Sequence, residues 1–128
     1  MRFINPPGTE AVGQRLGFSQ AVRAGDWLLV SGQVGYDPAT GEFPRDFSRQ
    51  AELAFEHLRA TLAAAGATLD DVAEITTYQL NMRRFNELIK LRNAAFGEHR
   101  PAWTAVGVKA LVEPQAQFEI SARVYLPR

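Results

Sequence analysis

The amino-acid sequence predicts an α/β fold, a two-layer sandwich in which two helices cover one face of a single mixed sheet. Two segments, residues 46–65 and 82–96, repeat apolar side chains at the spacing of a helix. A third segment, residues 118–126, alternates apolar and polar side chains, as a half-buried strand does. Helices and strands in this order pack as two layers around one core.

The N-terminal third of the chain predicts a loop and two strands. Residues 1–18 contain two prolines and several glycines, which indicate a loop. Residues 19–23 predict a short strand, and a turn leads to a second strand at residues 27–31. The second strand is apolar along most of its length, so we expect both of its faces to be covered. A turn-rich connection follows at residues 35–41.

The middle of the chain predicts two helices separated by a strand. The first helix covers about residues 46–65, and Gly66 stands where a glycine commonly ends a helix. Residues 74–80 favour a strand because β-branched and aromatic side chains dominate them. Asn81 is suited to cap the second helix, residues 82–96.

Two more strands complete the predicted sheet, at residues 104–111 and 118–126, with a turn at residues 113–115. One row of side chains along the last strand is polar and comprises Gln117, Glu119, Ser121 and Arg123. Because two helices cover only one face of a sheet, we expect this row on the other face. That face is either solvated or buried in an oligomer.

Composition and charge narrow the class of protein. The 128 residues fit one domain, residues 1–128, which buries roughly two thirds of its unfolded surface. Fourteen basic and fourteen acidic residues cancel, and no run of like charge occurs. The sequence therefore does not favour a nucleic-acid partner or an anionic membrane surface.

Several kinds of site are not predicted. Cysteine is absent, so the chain has no disulfide, thiol nucleophile or thiolate metal ligand. His57 and His99 lack metal-ligand spacing, and no nucleotide-binding glycine motif occurs, so we expect no metal and no cofactor. The sequence shows neither a signal-peptide apolar region nor a run of about 18 apolar residues, which predicts a cytoplasmic protein.

Four segments together point to a family. Ser19–Val22, Val30–Gln33, Arg100–Val108 and Phe118–Ile120 resemble, in their residues and order, the YjgF/YER057c/UK114 family. This family is also called the Rid (reactive intermediate deaminase) family of enamine and imine deaminases. The resemblance implies a YjgF or chorismate-mutase-like fold. It also implies a homotrimer with small-molecule clefts between its subunits.

The resemblance implies that Phe18, Ser31, Gly32 and Glu119 belong to the site. In the family, the serine hydroxyl and the glycine amide line the cleft, and the glutamate positions a water or relays a proton. Glu119 is therefore the predicted catalytic residue. Phe18 keeps the ring of the tyrosine that many members have but lacks its hydroxyl. From the residues alone, Glu119 is equally a solvated side chain, Ser31–Gly32 a bulge without a ligand, and Phe18 a packing residue.

Trp103 departs from the family pattern. In deaminating members the residue after Pro-Ala is an arginine that binds the substrate carboxylate through a charged fork. Trp103 offers one N–H donor and a flat apolar face. It either stacks on a planar or cyclic ligand or packs in the cleft or subunit interface. Losing the arginine guanidinium lowers the affinity for an anion by about a hundredfold or more. We therefore expect weak or absent iminocarboxylate activity.

Arg92 and Thr104 complete the predicted ligand-binding set. Arg92 interrupts the apolar stripe of the second predicted helix, at a position where family deaminases have a tyrosine. It either replaces the lost anion anchor or extends to solvent at the helix edge. The backbone amide of Thr104 is a candidate to stabilise developing charge.

Two classes of function are compatible with these residues, and a third is disfavoured. The first is a small-molecule hydrolase, or deaminase, acting on C=N bonds with Glu119 as its proton carrier. The second is a non-catalytic ligand-binding protein with the same trimer. The third, an endoribonuclease, is disfavoured by the zero net charge and the lack of a histidine pair.

Overall fold

The chain folds around a single six-stranded sheet. The computed structural model describes residues 1–127. Across the sheet the strands run in the order β1-β2-β3-β6-β4-β5. Every neighbouring pair is antiparallel except β4 and β5, so the sheet is mixed, as the sequence predicts. The strands are β1 (Arg2–Ile4), β2 (Ala21–Ala24), β3 (Trp27–Val34), β4 (Val72–Gln79), β5 (Ala102–Gly107) and β6 (Phe118–Tyr125).

Helices α2 (Phe47–Ala64) and α3 (Phe85–Phe96) pack on one face of the sheet. α2 begins where the side chain of Asp46 accepts a hydrogen bond from the amide of Arg49. Each large apolar side chain buried in the core stabilises the fold by about 1.5–3 kcal/mol relative to exposure. The large apolar side chains that are fully buried are Leu28, Phe55, Leu58, Leu62, Ile75, Leu88, Phe118 and Ile120. No helix within residues 1–127 combines the length and apolarity needed to cross a bilayer.

The opposite face of the sheet carries large side chains that the chain does not cover. Trp27, Leu29 and Tyr125 are 44%, 45% and 47% exposed there. The rings of Trp27 and Tyr125 lie 5.2 Å apart between centroids. Apolar side chains grouped on one flat face are typical of a surface that another molecule covers.

The prediction of a loop over residues 1–18 is wrong, because this segment contains β1 and helix α1 (Glu10–Leu16). Its glycines do not break the helix. A Cβ at Gly13 would lie 2.6 Å from the carbonyl oxygen of Phe18, so Gly13 permits close packing. Gly17 ends α1 with a φ of 80°, a left-handed conformation that favours glycine.

Several predicted boundaries also shift by a few residues. The strand predicted at residues 104–111 is β5, which begins at Ala102 and ends at Gly107. It ends there because its partner β4 ends at Gln79, in register with Gly107, and leaves no strand to pair with. The second predicted helix begins with a 3-10 turn, Met82–Arg84, before α3. β3 extends beyond its predicted end, as far as Val34.

Candidate functional site

A β-bulge at Ser31 and Gly32 forms the centre of the candidate site. The register of β3 against β6 shifts between Val30 and Gln33. The side chain of Glu119, from β6, lies directly against the Cα of Gly32. A Cβ built on Gly32 would overlap the carboxylate of Glu119. Position 32 therefore needs glycine if Glu119 is to occupy this place.

Ser31 connects the bulge by hydrogen bonds to the segment that precedes β2. Its amide donates to the carbonyl of Gln20 over 2.8 Å, and its hydroxyl donates to the carbonyl of Ser19 over 2.7 Å. Next to it, Nε2 of the buried Gln33 donates to Oε1 of Gln20 over 2.9 Å. Because the hydroxyl proton of Ser31 is used inside the chain, its oxygen is left to accept a hydrogen bond from a ligand.

Glu119 is a half-buried carboxylate without a cationic partner. It forms no ion pair with any residue of the described range 1–127. Burial alone raises the pKa of Glu119, because desolvation disfavours the charged form. A carboxylate with a raised pKa is a stronger base, which suits the abstraction of a proton from water.

The carboxylate of Glu119 faces a cleft of about 480 Å³, a size typical of small-molecule sites. The cleft brings four predicted site residues together, namely Phe18, Ser31, Gly32 and Glu119. Its walls are mostly apolar and include Val12, Leu16, Val34, Tyr36 and Val112. One chain therefore brings these four predicted residues into one cleft by itself.

Tyr36 lines the same cleft and was not predicted from the sequence. Its ring stacks on His57 at 4.3 Å between centroids, and Nε2 of His57 lies 2.8 Å from the carbonyl oxygen of Tyr36. Burial raises the pKa of Tyr36, so its hydroxyl stays protonated at neutral pH. The connection after β3 has no periodicity, and an aromatic residue close behind Ser31–Gly32 was the one available signal.

Trp103 and Arg92 form a second cluster, beside α3. Nε1 of Trp103 donates to Oγ1 of Thr77 over 2.9 Å, and its ring lies 5.2 Å from the ring of Phe85. The guanidinium carbon of Arg92 lies 5.3 Å from the centroid of the indole. These contacts hold the indole in one orientation and use its single N–H donor.

The two groups of residues lie on opposite faces of the sheet. Glu119 alternates with the buried residues of β6 and so faces away from the helices, whereas Trp103 packs against α3. β4 also lies between β6 and β5. Thr104 follows Trp103 along β5, points to the opposite face and is exposed. A single chain therefore does not bring Glu119 and Trp103 into one cleft.

The two histidines have structural contacts that keep them apart. Nε2 of His57 lies near the carbonyl of Tyr36, and Nε2 of His99 lies 2.6 Å from the carbonyl oxygen of Val72. Within residues 1–127, no cluster of three or more His, Asp or Glu side chains is placed to hold a metal ion.

The match to a protein family covers nearly the whole chain. The family model described as Endoribonuclease L-PSP matches residues 9–126. The chain belongs to this family. The RutC family protein YjgH of Escherichia coli K12 is 38% identical over 123 residues, which cover 94% of this chain and 93% of that protein. These matches confirm the resemblance to the YjgF/YER057c/UK114 family.

Solved structures of family members confirm the fold. Rv2704 of Mycobacterium tuberculosis, described as a member of the YjgF/YER057c/UK114 family, aligns with a TM-score of 0.85 and 32% identity, covering 98% of this chain and 100% of that chain. E. coli TdcF, solved with bound serine, aligns with a TM-score of 0.79 and 30% identity, covering 84% and 87%. The two-layer sandwich is therefore the fold of this family.

Proposed function

We propose that this protein is a Rid-type hydrolase that adds water to the C=N bond of a planar or cyclic small molecule. The observation that carries the proposal is the carboxylate of Glu119, half-buried, without a cation and pressed against Gly32 in a cleft of small-molecule size. Family membership supports a Rid-type activity. E. coli TdcF, 30% identical over 86 residues, carries the name of a reactive intermediate deaminase.

In the proposed reaction, Glu119 accepts a proton from a water whose oxygen attacks the carbon of the C=N bond. The new C–O bond forms as the C=N electron pair moves to nitrogen, which takes up the proton that Glu119 received from the water. The resulting carbinolamine then collapses to a carbonyl compound and releases ammonia or an amine. Backbone amides near Gly32 and Thr104 stabilise the charge that develops.

A homotrimer is part of this proposal, because the two groups of site residues need different chains to meet. The uncovered sheet face supports it, with exposed Trp27, Leu29 and Tyr125 and a depression of about 610 Å³ that Trp27 and Leu29 line. We expect light scattering at micromolar concentration to give three times the 14.2 kDa mass of one chain. A monomer would contradict both the trimer and a cleft between subunits.

The hydrolase activity is tested with imines that an oxidase generates in the assay mixture. Aromatic imines from an amine oxidase and small 2-iminocarboxylates from an amino-acid oxidase provide two substrate classes, with ammonia release measured above the spontaneous rate. We expect acceleration for the aromatic class and a kcat/KM below about 10⁴ M⁻¹s⁻¹ for the small iminocarboxylates. Fast turnover of the small class would show that another cation replaces the arginine that Trp103 displaces.

A non-catalytic ligand-binding trimer is the second candidate. It is favoured by the hydroxyl of Ser31 and the N–H of Trp103, which both donate to protein atoms and not into the cleft. An intact trimer that binds aromatic carboxylates but accelerates no imine hydrolysis would select it. The endoribonuclease of the family description has weaker support, since the histidines do not meet. Salt-dependent binding and cleavage of RNA would favour it instead.

A further inference from the structure

Arg92 is a buried cation for which the chain provides no anion. Its side chain is 4% exposed and forms no ion pair with any residue between 1 and 127. Nη2 donates to Oδ1 of Asn93 over 2.6 Å, whereas Nε is buried without a partner in the described chain. Since a guanidinium carries five N–H donors, much of its hydrogen-bonding capacity is unused.

Two aromatic rings hold this guanidinium in place. Its central carbon lies 5.3 Å from the ring centroid of Trp103 and 5.6 Å from that of Phe96. Cation–π contacts orient the planar group but do not supply the in-plane acceptors that its N–H donors need. Thr77 and Phe85 in turn hold the indole in one orientation. The position of the Arg92 guanidinium beside the indole is therefore also restricted.

An unpaired charge in a protein interior is costly, and a second cation adds to the cost here. Burial, followed by the positive charge of Arg100, lowers the pKa of Arg92. Arg100 itself donates to the carbonyls of Gly97 and His99 and forms no ion pair within residues 1–127. Two cations without an acid favour the binding of an anion at this place.

We propose that Arg92 binds the carboxylate of the ligand while the indole of Trp103 covers the planar remainder. This deepens the proposed function and rests on its cleft between subunits, since it names the substrate class: a planar or cyclic C=N compound that carries a carboxylate. The guanidinium comes from α3 and its carbon lies 5.3 Å from the indole centroid, so a ligand whose carboxylate reaches Arg92 passes beside the indole. A ring suits that path better than a short 2-iminocarboxylate does.

Calorimetry with pyrrole-2-carboxylate and pyrrole-2-carboxamide, which share a shape and differ in charge, tests the proposal. We expect the wild type to bind the carboxylate at least about tenfold more tightly. Arg92→Met should remove this preference and keep the carboxamide affinity within about twofold, whereas Arg92→Lys should retain part of the preference. Arg83→Met, which removes an exposed cation just before α3, is the matched control and should leave the preference intact.

Three results would overturn the assignment: equal affinity of the wild type for both probes, no measurable binding of either, or an unchanged preference in Arg92→Met. Dissociation of the Arg92→Met trimer in light scattering would overturn it too, because Arg92 would then pair with an acid of a neighbouring copy. Glu119→Gln separates this proposal from the hydrolase. If Glu119→Gln loses turnover and keeps the carboxylate preference, the result supports both the hydrolase activity and the carboxylate site at Arg92. If the wild type never hydrolyses imines but shows the carboxylate preference, the result refutes the hydrolase activity and leaves the carboxylate site standing.

Discussion

Replacing Glu119 with glutamine is expected to slow the hydrolysis of aromatic imines by about 10²–10⁴-fold. The amide keeps the shape of the carboxylate against Gly32 but cannot accept the proton of the attacking water. Ligand affinity should change little. Because burial raises the pKa of Glu119, wild-type turnover should fall with decreasing pH at a higher pH than for an exposed glutamate. Steady-state kcat/KM across the acid range measures both effects.

The stability of the same variant provides the control. A carboxyl group whose pKa is raised by folding binds more protons in the folded state, so its ionisation destabilises the fold as pH rises through its unfolded and then its folded pKa. Glu119→Gln removes this effect. Its melting temperature relative to the wild type should therefore increase from acid to neutral pH. A variant that retained most of its turnover would show that Glu119 is not the proton acceptor.

Trp103→Arg is expected to destabilise the folded protein by about 2–4 kcal/mol. The new guanidinium would lie beside the buried Arg92, with no acid in the cluster, and the buried hydroxyl of Thr77 would lose its donor. Adding Arg92→Met should recover much of the loss by removing one of the two charges. The double variant should then bind small carboxylates more tightly than the wild type does. Urea unfolding at one fixed protein concentration measures the stabilities.

Two outcomes would contradict this interpretation of Trp103. A single variant as stable as the wild type would mean that position 103 does not crowd Arg92. An intact trimeric double variant without any gain in carboxylate affinity would mean that position 103 does not face the ligand. Trp103→Phe is the matched control, because it keeps an aromatic ring beside Arg92 and adds no charge, while it removes the hydrogen bond to Thr77 and part of the indole surface.

The sequence predicts those elements whose pattern is local and strong. The helical stripe of α2 and the alternation of β6 are visible in the residues themselves, because one face of each is buried. β1 and α1 are not, since Gly13 and Gly17 look like loop residues. The close carbonyl of Phe18 explains the glycine at position 13, and the left-handed φ of 80° explains the one at position 17. The end of β5 depends on the length of β4, which is not a property of its own residues.

The candidate site, like the fold, was only partly predictable from the sequence. The family resemblance grouped Glu119 with Gly32, but the bulge that lets them touch depends on the register between two strands. The stack of Arg92 on Trp103 joins a helix to an edge strand, so no spacing along the chain reports it. Tyr36 lies in an irregular connection, where neither periodicity nor propensity selects a residue.

The placement of Glu119 and Arg92 on opposite faces of one sheet has a genetic consequence for the proposed trimer. On a cyclic imine that carries a carboxylate, a gene encoding Glu119→Gln and a gene encoding Arg92→Met would each yield a protein with reduced hydrolysis, yet co-expression would restore part of it. In a closed ring of three subunits, every trimer that contains both kinds of chain has one interface at which Glu119 of one subunit and Arg92 of the next are both intact. Two defective alleles would thus complement each other, whereas two alleles altered at Glu119 alone would not.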